Sequence, residues 1–247
     1  MKITQSGGDR PFNERMLADR IAAFDAELAG QAPPEILEAV QMAIAEIVRG
    51  EAGGGAPRAG AVAPPFSLPD ARGGQVSLHE QLERGPVVLT FYRGAWCPYC
   101  DLTLRAYQEA LPRIHAVGAS LVAISPQTPD ESLTTAEKKN LSFAVLSDAG
   151  NTVARQYGLV FEVSPALDAI HKAFAIDLAR SNGDTSNELP VPGTFIIGSD
   201  GRIAFAFVDG DYRVRLEPAE LLRQLESVVR SEAVQAGRPL SHNRASE

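Results

Sequence analysis

Cysteine is scarce in this chain: two among 247 residues, Cys97 and Cys100, inside one four-residue window. That excludes a disulfide scaffold, which distributes several pairs to close long loops. It also leaves zinc short of ligands, since a structural site takes four and His79, His115, His171 and His242 are scattered. No metal and no cofactor is expected. Basic charge is short as well. Against 31 Asp and Glu stand 23 Lys and Arg, a formal charge of −8 that disfavours nucleic acid and anionic membranes as partners. Nowhere do roughly 18 apolar residues run together, so no bilayer-spanning helix is expected. Met1 to Gly8 is polar and lacks the apolar stretch of a secretory signal, which makes the cytoplasm the expected compartment. No internal repeat of useful length is present. Small molecules and other proteins remain as partners.

What the chain does have is enough apolar content, 45%, to fill a real core. Leu17, Ile21, Phe24 and Leu28, then Ile36, Val40, Ile44, Ile47 and Val48, recur at helical spacing on either side of Pro33-Pro34. Residues 1–51 therefore read as an N-terminal helical hairpin extension, starting near Asn13. Its apolar faces must pack on each other, on the main domain or on a second subunit. Residues 52–65 are almost entirely Gly, Ala and Pro and read as a linker, because they offer little side chain to bury.

From residue 66 short β-type runs alternate with helical ones, the signature of an α/β domain over 66–232. Phe66, Leu68, Val76 and Leu78 flank a turn at Gly73-Gly74 and predict a hairpin. Pro86 to Tyr92 predicts a buried central strand. Leu104, Tyr107 and Leu111 mark one face of the helix that follows. Strands are expected at Leu121–Ile124, Phe143–Leu146, Thr194–Ile197 and Ile203–Val208, the last two around a Ser199-Asp200-Gly201 turn. Helices are expected at Asp130–Lys139, Asn151–Tyr157, Pro165–Leu178 and Pro218 to about Arg230, before a polar tail over 233–247.

A bridge between Cys97 and Cys100 would close almost no loop, so the reason for the pair is chemical more than structural. A thiolate is the reactive species and needs surroundings that stabilise negative charge. If a helix begins at Cys97, its sulfur meets free backbone N–H groups and the positive helix end. Arg93 would add positive charge, and Pro98 suits the first turn. Cys100, one turn on, could then attack an adduct on Cys97 and close an intramolecular disulfide. Trp96 would shield the pair and form part of a docking surface. Two inert buried thiols are the competing reading, because free cysteine often packs as a small hydrophobe.

Read after a buried strand, Phe91-Tyr92-Arg93-Gly94-Ala95-Trp96-Cys97-Pro98-Tyr99-Cys100 resembles the thioredoxin-fold superfamily and, within it, the peroxiredoxin-like branch of the alkyl hydroperoxide reductase family. The resemblance covers about residues 60 to 230. Ala63-Pro64-Pro65-Phe66-Ser67-Leu68-Pro69-Asp70 is similar to that family's opening segment, and Val191-Pro192-Gly193-Thr194-Phe195-Ile196-Ile197 adds to it. It implies a central mixed β-sheet flanked by helices, with Pro192 as a cis-proline packed against the redox motif. The family's threonine and proline, three and seven residues before its peroxidatic cysteine, are matched by Gly94 and Thr90 counting from Cys97, or by Cys97 and Arg93 counting from Cys100. The family's arginine on the following strand has no counterpart near Ala204 and Phe205, which are apolar.

The implied activity is reduction of hydroperoxides. Cys97 becomes a sulfenic acid, Cys100 condenses it to a disulfide, and thioredoxin, glutaredoxin or glutathione resets the pair. Tyr99 enters as part of the Cys-Pro-Tyr-Cys wording, which is also similar to glutaredoxins. A disulfide substrate, with Cys97 attacking it, is the second reading. A non-enzymatic redox sensor or interaction protein is the third. A homodimer would be one way to cover the N-terminal helices.

Overall fold

The computed structural model describes residues 16–237. The expected helical start at Asn13, the end of the polar tail and His242 lie outside them. In chain order the elements are α1 (Leu17–Gln31), α2 (Pro34–Arg49), β1 (Ser67–Pro69), β2 (Gln75–Ser77), α3 (Leu78–Leu82), β3 (Val87–Phe91) and α4 (Pro98–Ala116). Then come β4 (Ser120–Ser125), α5 (Pro129–Lys138), β5 (Ala144–Ser147), α6 (Thr152–Gln156), β6 (Val160–Glu162) and α7 (Pro165–Ala173). The chain closes with α8 (Leu178–Asn182), β7 (Glu188–Pro190), β8 (Gly193–Ile197), β9 (Ile203–Val208) and α9 (Pro218–Gln235).

The central sheet has the order β5-β4-β3-β8-β9. β3 and β4 are parallel, as are β4 and β5, whereas β8 runs antiparallel to both β3 and β9. β3 is buried along its whole length, as expected for a central strand covered on both faces. Its side chains alternate. Val88 joins the core formed with Leu104, Tyr107, Leu111, Leu221, Leu222 and Leu225 of α4 and α9. Val87, Leu89 and Phe91 join the opposite core around Val153, Tyr157 and Phe195. This is the α/β, thioredoxin-like arrangement that the sequence implies.

The structure sharpens or corrects four readings of the sequence. Of the ways left open for covering the N-terminal helices, packing on the main domain is the one seen: α1 lies on α4 and α2 on α7, and Ala43, Ile44 and Ile47 belong to the same core as the two cysteines. Their apolar stripes fit the main domain, although Val48 is left exposed. Residues 52–65 are not a tether. Their backbone is hydrogen-bonded beside β9, with Ala63 N–H donating to Gly201, Gly60 N–H to Ile203, and Ile203 N–H to Ala61. Glycine makes the approach possible by lacking a side chain; Cβ atoms added at Gly53 and Gly158 would stand 2.6 Å from Val208 and 2.4 Å from the Gly55 oxygen. Finally, the helix expected over Pro165–Leu178 ends at Ala173, because Ala175 takes a positive φ of 57° and starts the short connection to α8. The helix expected to end near Arg230 instead continues to Gln235, into the expected tail.

Candidate active site

The redox segment hangs between two rigid elements, the end of β3 and the start of α4. Gly94 turns it at a φ of 152°, and a Cβ there would meet Trp96 Nε1 at 2.3 Å. Ala95 N–H donates to Gln127 Oε1 at 2.8 Å, fixing the loop against the buried Gln127. Cys97 is the N-cap of α4 and Pro98 its first residue, as the motif predicts. Both cysteines are free thiols, each 1% exposed.

The two sulfurs have different surroundings. Cys100 Sγ accepts the Arg93 backbone N–H at 3.4 Å and an Arg215 guanidinium N–H at 3.6 Å. Arg215 is itself positioned by donating to Thr103 Oγ1 at 3.1 Å. Cys97 accepts no helix N–H on its side chain. Burial penalises both thiolates. On Cys100 that penalty is outweighed by the Cys97 S–H, the Arg215 charge and the Arg93 N–H, which bring it down to about 5. On Cys97, burial and the proton it shares with Cys100 push the thiol well above its usual range, despite Arg93 and Arg215. The pair is coupled, and the hydrogen bonds donated to Cys100 favour that sulfur as the one that holds its negative charge. This reverses the order expected from the helix start alone.

The sulfurs also open onto different spaces. Cys100 borders a space of about 10 Å³ with Thr90, Thr103, Pro192, Thr194 and Arg215. That is close to the smallest volume that holds a water. Cys97 borders a cavity of about 290 Å³ that Cys100 does not reach, walled by Phe24, Leu28 and Val40 of the N-terminal helices together with residues of α7.

Of the expected supporting residues, Arg93 is 2% exposed, stacks over Tyr212 at 4.0 Å and Trp96 at 5.0 Å, and has its NH2 group 3.0 Å from His171 Nε2. Trp96 is half-buried and meets the His171 ring edge-on at 5.2 Å, and it walls the cavity. Tyr99 donates its hydroxyl to Asp25 at 2.6 Å and stacks edge-on against Phe24, tying α1 to the motif. Pro192 borders the Cys100 space, but no peptide bond among the described residues is cis. Proline is tolerated at this position, because the β8 ladder opens one residue later, at Gly193 opposite Phe91, and no donor is missed.

Sequence reasoning passed over Arg215 and His171. β9 is apolar at Ala204 and Phe205, and the guanidinium at Cys100 comes from the loop after that strand. No local pattern marks it, since it lies 115 residues from Cys100. His171 carried no signal beyond being one of four histidines.

A sheet-anchored dithiol at a helix start, one sulfur polarised by an arginine, defines a thiol-based redox protein of the thioredoxin-fold class. Comparison with known proteins makes the class specific. The family model described as AhpC/TSA family matches residues 59–206. Peroxiredoxin Bcp of Escherichia coli (strain K12) is 30% identical over 155 residues, covering 62% of this chain and 86% of that one. The chloroplastic peroxiredoxin Q of Sedum lineare is 34% identical over 100 residues, 40% of this chain and 53% of that one. Among solved structures, peroxidoxin BcpB from Mycobacterium tuberculosis superposes with a TM-score of 0.55 at 24% identity, covering 69% of this chain and 97% of that one. The chain belongs to the AhpC/TSA family.

Proposed function

We propose that this protein is a thiol peroxidase in which Cys100 attacks the hydroperoxide and Cys97 resolves the product. The Cys100 thiolate attacks one peroxide oxygen, the O–O bond breaks, and the departing oxygen takes a proton and leaves as water or an alcohol. Cys100 is then a sulfenic acid. The Cys97 sulfur attacks it, water leaves, and the disulfide joins two residues at the start of one helix. An external thiol donor restores the dithiol, a cycle suited to a reducing cytoplasm.

The observation that carries this reading is the double donation to Cys100 Sγ, from Arg93 N–H and Arg215, beside a small space that the same sulfur borders. The same donors would stabilise charge developing on the peroxide oxygens. A protein disulfide, by contrast, would have to reach sulfurs 1% exposed beneath α1 and α2. Stopped-flow mixing of the reduced protein with hydrogen peroxide tests the proposal. Two thiols per chain are expected to disappear within seconds, and Cys100→Ser to slow the reaction by about 100-fold or more, while Cys97→Ser stops at a trappable sulfenic acid. Oxidation that survives in Cys100→Ser and vanishes in Cys97→Ser would restore the opposite order.

A further inference from the structure

We infer that the 290 Å³ cavity on the Cys97 side is the binding site of the reductant, and that it takes a low-molecular-mass thiol with an apolar chain and a hydrogen-bond-accepting end such as a carboxylate. The inference rests on the proposed peroxidase cycle and adds where the second half of it takes place.

Direction of attack comes first. In the Cys97–Cys100 disulfide, the sulfur bordering the large cavity belongs to Cys97. A thiolate arriving there forms a bond to Cys97 and breaks the S–S bond. Cys100 departs as a thiolate into the donors that already hold it, the Arg93 N–H and Arg215. A stabilised leaving thiolate speeds exchange, and attack in the other sense would expel the less stabilised Cys97. A second thiol then attacks the donor's sulfur in the mixed disulfide and releases Cys97. Two thiols become one external disulfide, two electrons pass to the protein, and the two protons end on Cys97 and in solvent. A donor carrying both thiols completes the exchange without leaving the cavity.

The lining describes the donor. Phe24, Leu28, Val40, Leu167, Ile170 and Phe174 are apolar, and the volume is at the lower end of ordinary small-molecule sites. Within this wall two deeply buried polar side chains carry unpartnered nitrogens, Arg93 Nε and His171 Nδ1. Because His171 Nε2 faces the Arg93 guanidinium at 3.0 Å and must accept from it, Nδ1 bears the imidazole proton. Both free nitrogens are therefore donors unused by the protein, on side chains that line the cavity bordering the sulfur to be attacked. They call for an acceptor on the ligand. A donor whose polar groups are spread along its whole length, as in glutathione, would leave them against Leu28, Val40 and Ile170.

The test separates the two half-reactions. The Cys97–Cys100 disulfide is made chemically with diamide, so its reduction is measured whether or not peroxide oxidises the protein, and peroxide oxidation is measured by itself. Dihydrolipoate, an eight-carbon dithiol with one carboxylate, is compared with glutathione at equal thiolate concentration. We expect dihydrolipoate to reduce the disulfide at least tenfold faster, and octanoate, which has the same chain and no thiol, to slow it in a saturable way. Val40→Trp, which fills the cavity, is expected to collapse the preference between the two thiols. Equal rates for the two thiols, or reduction indifferent to octanoate in the wild-type protein, would overturn the inference even if the variant fails to fold. Failure of peroxide to oxidise the dithiol would overturn the peroxidase reading instead.

Discussion

At Cys100 two donors that the chain keeps seven and 115 residues away meet on one sulfur. Their consequence is a pH profile. Because the Cys97 S–H, Arg215 and the Arg93 N–H bring Cys100 down to about 5 against the cost of burial, the peroxide-oxidation rate should rise through pH 5 and be flat from about 6.5 to 8. Arg215→Met removes a positive charge that favours the thiolate, so the rise must move to higher pH. A shift of at least one unit, costing about twofold or more in rate at pH 6, is expected in stopped-flow traces. An unmoved profile would show that Arg215 does not act on the sulfur. His171 gives a second, separate readout. Burial and the Arg93 charge lower its imidazole to about 3, against the Asp168 carboxylate, whereas in the unfolded chain it titrates near 6.5. As pH falls below 6.5 the unfolded state takes the proton first, so stability is full above that value and is lost progressively toward 3. Urea unfolding should show wild type losing about 1 kcal/mol more than His171→Gln between pH 7.5 and 5.5.

Among the elements, the segment over residues 52–65 is the instructive case, since its packing is done by backbone. Gly158, at a φ of +64°, sits against it, and Gly73, at +98°, faces open space. Both positions resist a side chain on conformational grounds, yet only the first has no room for one. Gly158→Ala should therefore cost about 2–4 kcal/mol and Gly73→Ala about 1 kcal/mol, read as urea midpoints. Equal costs would mean that residues 52–65 are not held where Gly158 meets Gly55. Side-chain contacts do the same for α1, which is tied over the dithiol by the Tyr99 hydroxyl on Asp25 and by the Arg20–Glu109 ion pair.

Over the whole molecule, the N-terminal helices and the redox domain share one apolar core, which runs from Ile44 and Ile47 through Cys97 and Cys100 to Leu221 and Leu225. A core without an internal boundary unfolds as a unit. Calorimetry of the full chain should show a single transition whose van't Hoff and calorimetric enthalpies agree, and two separated transitions would instead support the division into extension, linker and domain. Much of this architecture was legible beforehand. β3 announces itself as a continuous apolar run, α4 by its spaced Leu104, Tyr107 and Leu111, and the dithiol by two cysteines set together with none elsewhere. Those signals are local, because period and spacing are properties of neighbouring residues. The partner of each apolar stripe was not legible, because amphipathicity says that a face must be covered and is silent on what covers it. The glycine-rich stretch misled for the same reason, its role lying in the close approach it permits to a strand more than a hundred residues away. The sequence by itself thus determined the redox pair, its helix start and the sheet that holds it. Only the tertiary structure decided which sulfur carries the charge and which borders a cavity, since both depend on Arg215, His171 and the N-terminal helices arriving from distant parts of the chain.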